Sequence, residues 1–435
     1  MADGKLLVSS KDTGTVYCRD AATGKSLWHF IAGARVDSPP TVHTFVVPPS
    51  GGTEPPEGGT TNSLCVFGCR DGAVYCLRTS DGELAWKFRA APVDRRIVAD
   101  GRLESIWPVH GSVLVQDDVA YFAAGRSSYL DGGIRLFGLD LCTGKELCRT
   151  TISAQPVHSG AEESGTSDSI GALPDVLVSD GRTINMRHLQ FDAELKLQDR
   201  SHLNTLCATT GLLEDTWFHR QNWTLAHQGQ INPAVRAGSL STQRTGRGAV
   251  TGKLISFQEH IACTVSNPYT WLKHTPAMQP TNHDGHLHQK YSRYAPEDFP
   301  FGVRISSTRN VASEATVGRK GRQSSSAPAT EVWSVHDPFQ VRAMVLAGEV
   351  LFLAGWRDAV AIHPATGRPL DAANPDPRPL LLKALAASDG KALAEYPLES
   401  EPVFDGMAAA YGRLYMPLRD GTVTCLGSDS DSPAP

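Results

Sequence analysis

One phrase recurs along this chain with variations: GTVYCRDAATGKSLWHF from Gly14, GAVYCLRTSDGELAWKF from Gly72, RLFGLDLCTGKELCRT from Arg135 and LLLKALAASDGKALAEY from Leu380. A unit of this length cannot bury its own apolar face, so copies of it must stack on one another. The unit is read as a period-2 apolar strand followed by Thr-Gly or Asp-Gly and then by a second strand ending in an aromatic, as in the first copy with Phe30. Pairs such as Asp-Gly fit turns that match strand twist, so successive strands form antiparallel hairpins. Unit openings near the N-terminus, Pro39, Pro108, Pro174, Asp215, Gln340 and Glu401 give about seven blades, with eight as the alternative. The expectation is an all-β fold, a β-propeller of four-stranded antiparallel blades, because radial repetition leaves only short, protected strand edges.

The pattern of apolar strand, Asp-Gly, aromatic strand, Thr-Gly-Lys and Leu-Trp resembles the PQQ-like repeat of quinoprotein alcohol dehydrogenases and of BamB-type outer-membrane assembly scaffolds. The likeness is strongest over 1–150 and returns over 340–427. Longer phrases, CRDGAVYCLRTSDGELAWKFRAAPVDRRIVADGRLESIWPVHGSVLV and LPDVLVSDGRTINMRHLQFD, are similar to PQQ-like propeller proteins abundant in planctomycete-type bacteria. A single propeller domain is expected over 1–427, with an inserted Pro/Gly-rich loop at 44–62, a disordered Ser/Thr/Arg-rich loop at 303–330 and a disordered tail at 428–435. The first unit begins at its second strand and the last stops after its third, so the ring is expected to be incompletely closed. Met1 is accordingly expected to be an internal or misassigned start.

Composition narrows the function classes. A formal net charge of -5 supplies no basic field for nucleic acid, and no run of ~18 apolar residues marks a membrane span. No signal peptide opens the sequence; the resemblance implies a periplasmic or cell-envelope location. The nine cysteines are an odd number, and Cys18, Cys65, Cys76 and Cys425 fall in expected strands, where a small apolar thiol suits a core.

Catalytic signatures are thin. Quinoprotein enzymes need an aromatic-floored site for PQQ and a Ca²⁺ held by oxygens, and the family's adjacent-cysteine pair is missing here. Trp28 and Trp86 sit at the blade-docking position of the repeat, so neither PQQ nor Ca²⁺ is expected. Three non-repeated clusters remain. In 94–110, Arg95 and Arg96 suit an anion and Trp107 suits stacking, beside Glu104 and His110; the plain alternative pairs Arg95 with Glu104 and has Trp107 cap a blade. In 214–223, strand alternation separates Trp217 and His219 from Arg220, with Trp223 following. In 274–288, His283, His286 and His288 have spacings that suit a transition ion, or else titrate in solvent. The resulting expectation is a non-catalytic binding or scaffold propeller that presents inter-blade loops to a protein partner or glycan-like ligand. The alternative is an enzyme, either a PQQ-dependent oxidoreductase or a polysaccharide-acting propeller.

Overall fold

The structure is a computed structural model, and it describes residues 1–47, 60–99, 101–128, 130–153, 174–179, 181–186, 189–198, 206–208, 223–225, 250–252, 254–258, 261–266, 303–309, 330–337, 339–357 and 379–427. It divides into two compact units, one of Met1–Gln221 with Asn232–Thr242 and one of Asn222–Ile231 with Gln243–Pro435. The described residues are all strand and connection, and none lies in a helix long and apolar enough to cross a membrane.

In the first unit, β1 (Lys5–Ser10), β2 (Thr15–Asp20) and β3 (Ser26–Ile31) make the first blade. The second blade is four-stranded: β4 (Thr41–Val47), β5 (Thr60–Cys69), β6 (Ala73–Arg78) and β7 (Leu84–Arg89). A separate hairpin follows, β8 (Arg96–Ala99) with β9 (Arg102–Ser105), which the repeat pattern did not foreshadow. The third blade is β10 (Leu114–Gln116), β11 (Val119–Ala124), β12 (Ile134–Asp140) and β13 (Glu146–Ile152). The fourth has three strands, β14 (Leu177–Ser179), β15 (Ile184–Met186) and β16 (Leu189–Phe191), and β17 (Leu206–Ala208) comes after it.

The second unit pairs β18 (Trp223–Leu225) with β19 (Val250–Gly252). One blade then holds β20 (Leu254–Gln258), β21 (Ile261–Ser266), β22 (Val303–Arg309) and β23 (Thr330–Asp337). The next holds β24 (Phe339–Ala347), β25 (Val350–Arg357), β26 (Leu380–Ala386) and β27 (Ala392–Pro397), and a three-stranded sheet holds β28 (Ala408–Ala410), β29 (Arg413–Pro417) and β30 (Val423–Leu426). All these pairings are antiparallel and sequential, the blade arrangement of a β-propeller.

Three expectations need correction. Residues 303–309, assigned to a disordered loop, form the interior strand β22, with Ile305 and Ser307 fully buried. Strands β4 and β5 extend into the segment read as the 44–62 loop, leaving only 48–59 outside the described residues. Cys425 lies in β30 but is exposed, whereas Cys18, Cys65 and Cys76 are buried.

The core lies between blades. Leu7, Val16 and Cys18 of the first blade meet Cys65, Phe67, Tyr75 and Leu77 of the second. The other face of the second blade, Leu64, Val66, Val74 and Cys76, meets Phe122, Phe137 and Leu139 of the third. Period-2 alternation thus feeds two interfaces from each strand, so both side-chain sets are apolar.

Three of the described junctions are each fastened by the tryptophan of an outer strand. Trp28 Nε1 donates to the Thr79 carbonyl at 3.0 Å, Trp86 Nε1 to Leu141 at 2.8 Å and Trp333 Nε1 to Ala387 at 2.7 Å. The acceptor opens the next blade's turn, and the ring lies on that turn's glycine: a Cβ on Gly82, Gly144 or Gly390 would come within 2.6 Å of the indole. These glycines also have positive φ, so the position excludes side chains twice over. Two residues on, Phe30 packs edge-on against Tyr75 at 5.6 Å and Phe88 against Phe137 at 5.3 Å.

The junction between third and fourth blades inverts the sizes. The turn residue with positive φ is Leu195, itself buried, and the docking position holds Cys148, whose Sγ donates to the Ala193 carbonyl at 3.6 Å. Tyr121 adds a hydroxyl donor to the same carbonyl at 2.9 Å.

Candidate functional site

The segment 94–110, singled out as a candidate binding loop, is built by the β8–β9 hairpin and its return toward the third blade. Its backbone is tied down at the base. Ser105 N–H donates to the Arg70 carbonyl at 2.8 Å and Ile106 N–H to the Arg95 carbonyl at 3.0 Å. Ala91, Ile106 and Trp107 form a small apolar cluster beneath it, with Ile97 packed against them.

Strand alternation gives the hairpin two faces. Glu104 points inward and joins a buried charged group assembled from distant segments. Arg70 Nη1 donates to its two carboxylate oxygens at 3.2 and 2.9 Å, and Arg70 Nε donates to Asp37 Oδ2 at 2.5 Å. Arg35 lies 3.6 Å from Asp37 and 3.7 Å from Glu104, and His110 Nδ1 stands 3.4 Å from Asp37 Oδ2. All five side chains are nearly sealed from solvent. Burial pushes the Asp37 carboxyl upward, but the hydrogen bond to His110 and the Arg70 and His110 charges outweigh it and hold Asp37 far below the usual carboxylate range. Two guanidinium groups balance two carboxylates, so the group is an internal clamp.

The outward face is different in kind. Val98 and Leu103 sit directly opposite each other across the hairpin, at 71% and 60% exposure. Arg96 shares their side and pairs with Asp94 at 3.0 Å in solvent, Arg95 is also exposed, and Val93 just before the hairpin is exposed too. Arg102 reaches Asp12 in the first blade, donating to its backbone carbonyl and pairing with its carboxylate. The result is a rigidly based hairpin with an apolar cross-strand pair at its surface, bordered by arginines.

The sequence-derived candidates therefore divide. Glu104, Trp107 and His110 are buried; Trp107 Nε1 donates to the Asp131 carbonyl at 2.8 Å, and Glu104 pairs with Arg70 and Arg35. Arg95 and Arg96 remain at the surface. Trp223 lies in β18, while Trp217, His219, Arg220, His283, His286 and His288 fall outside the described residues. Among the described residues no group of three or more His, Cys, Asp or Glu side chains is placed to hold a metal ion. Sequence reasoning missed Val98, Leu103, Arg35, Asp37 and Arg70. The readable signal for the first two was Asp100-Gly101 between two alternating apolar segments, a hairpin signature.

Residues 1–190 match the family profile described as outer membrane protein assembly factor BamB. No curated protein matches the chain. Among solved structures, BamB from Moraxella catarrhalis is similar with a TM-score of 0.47 at 12% identity, covering 100% of this chain and 94% of that one. The computationally designed Ika8 protein gives 0.39 at 11% identity, over 98% and 94% of the two chains. The dihydro-heme d1 dehydrogenase NirN in complex with DHE gives 0.46 at 10% identity, over 98% and 71%. The matched residues 1–190 hold the first three described blades, whose two junctions are docked by Trp28 and Trp86.

Proposed function

We propose that this chain is a non-catalytic scaffold propeller of the cell envelope that engages a protein partner through the outward face of the β8–β9 hairpin. The carrying observation is the exposed Val98–Leu103 pair, held on a base that the buried Arg35, Asp37, Arg70 and Glu104 group makes rigid. Loops on a rigid scaffold are where such proteins bind, and an apolar centre rimmed by arginine is the usual composition of an interface core. The BamB-type profile supports an envelope setting and a protein, rather than a sugar, as the partner. Arginines at the rim favour an acidic border on that partner and act on its rate of encounter more than on its affinity.

Equilibrium binding of the purified chain to purified outer-membrane protein assembly factors tests this reading. The double substitution Val98→Asp with Leu103→Asp is expected to weaken binding at least about tenfold, since hot-spot truncations cost about 2 kcal/mol or more and tenfold is about 1.4 kcal/mol, while thermal unfolding stays unchanged. Turnover of glycan or alcohol substrates by the chain alone would refute the non-catalytic part.

A further inference from the structure

The β8–β9 hairpin has two edges, and the fold closes only one of them. Ile106 N–H donates to the Arg95 carbonyl at 3.0 Å, so Arg95 and Ile106 form a hydrogen-bonded pair at the base of the ribbon. Along an antiparallel ribbon such pairs alternate with pairs whose N–H and C=O point away from the partner strand. The register Arg96↔Ser105, Ile97↔Glu104, Val98↔Leu103 therefore turns the backbone of Arg96 and Val98 out along one edge, and that of Leu103 and Ser105 out along the other. Ser105 bears this out, because its N–H leaves the ribbon and donates to the Arg70 carbonyl at 2.8 Å.

The β9 edge is thus laid against the β5–β6 turn of the second blade, and Arg102 on the same strand is tied to Asp12 of the first. The β8 edge has no such cover. The sheet is two-stranded, and among the described residues no group pairs with the outward N–H or C=O of Arg96 or Val98. Both residues are exposed. Outward N–H and C=O groups in a row along an exposed strand are a template for another strand.

We infer that the protein partner adds an extended edge strand to β8, so that backbone pairing joins side-chain packing in the contact. This inference rests on the functional reading given above. Residues directly opposite each other in a sheet share a face, so the added strand carries an apolar residue opposite Val98 and an acidic residue two positions away, opposite Arg96. The apolar residue extends the Val98–Leu103 row across a third strand. Arg95 and Arg96 flank the acidic position and Asp94 answers one of their two charges, so a carboxylate there is matched in sign.

The test uses the full chain and purified outer-membrane protein assembly factors. Val98→Pro keeps a compact apolar side chain and leaves the hairpin's own ladder intact, but removes the outward N–H. It is expected to weaken binding at least about tenfold with thermal unfolding unchanged, and more than Val98→Ala, which keeps the N–H and gives up more side chain. In amide hydrogen exchange of the unsubstituted chain, the Arg96 and Val98 N–H groups are expected to slow at least about tenfold on saturation while Leu103 changes little. That readout decides should Val98→Pro disturb the hairpin. Weakening by Val98→Asp with Leu103→Asp but not by Val98→Pro, or equal slowing at Val98 and Leu103, overturns strand addition and leaves the functional reading standing. Absence of binding by the unsubstituted chain overturns that reading, and strand addition with it. Concentration-dependent dimerisation that Val98→Pro abolishes makes the occupant a second copy of this chain and overturns the separate partner.

Discussion

Glu104 and Asp37 illustrate how a charged residue in a connection becomes structural. Each is sealed from solvent and held by guanidinium groups from other segments, so removing one partner strands a buried charge. Glu104→Ala is expected to cost about 3–5 kcal/mol in urea unfolding, the range for breaking a buried ion pair. The depressed Asp37 carboxyl also sets a pH dependence. A carboxyl lowered on folding stabilises fully above its unfolded value of about 3.9 and loses that contribution as pH falls toward the folded value. Acid unfolding below that point is expected to be milder, relative to neutral pH, in Asp37→Asn than in the parent. Thiols follow the same rule of environment: burial pushes Cys65 up to about 12 and Cys18 and Cys263 to about 11. A thiol reagent at neutral pH is therefore expected to label Cys425 and Cys142, which are exposed, well before these three. At this scale the sequence marked Glu104, Trp107 and His110 as unusual but not their direction. The partners Arg70 and Asp37 lie far away in sequence, and no local spacing reveals that they converge.

At the scale of the element, strand and turn identity were plain in the sequence, because Thr-Gly and Asp-Gly fix the turns and alternation fixes the strands. Trp28 and Trp86 were legible as docking residues for the same reason: they recur at one place in the repeat. The hydrogen bond and the packing at each junction can be separated by substitution. Trp86→Phe keeps a smaller aromatic ring and loses the donor to Leu141 with part of the packing on Gly144, an expected cost of about 1–3 kcal/mol, whereas Trp86→Ala opens the full cavity, for about 3–5 kcal/mol; denaturant midpoints check both. What could not be read was the compensation between Cys148 and Leu195, since the two residues belong to different repeats and each looks like ordinary drift when viewed alone. A polar exchange of the same type separates the two units. Tyr75 donates to Asp71 with Lys87 nearby in the second blade, whereas Lys383 donates to Asp337 with Glu395 nearby in the β24–β27 blade.

For the whole molecule, blades that touch only their neighbours couple locally. Trp333→Ala is expected to lower amide-exchange protection in β20–β27 while leaving β4–β7 unchanged, and a uniform loss across both units would contradict that picture. The all-β class was legible from the repeat because every copy carries the same alternation, while β22 was hidden by a composition of serine, threonine and arginine that resembles disorder. The hairpin pair Val98 and Leu103 was hidden by its neighbours, which drew attention as charges.

The inverted sizes at the third junction bear on how a chain of near-identical repeats finds its order. Similar units compete for one another's places during folding, and a blade that skips a neighbour is a trap. Trp28 or Trp86 brought onto the turn of the fourth blade would strike Leu195, and Cys148 brought onto a glycine turn would leave the cradle empty. A wrong succession that involves the third or fourth blade thus carries a steric or cavity cost, so this one departure from the repeat acts as an address that marks which blade the fourth follows.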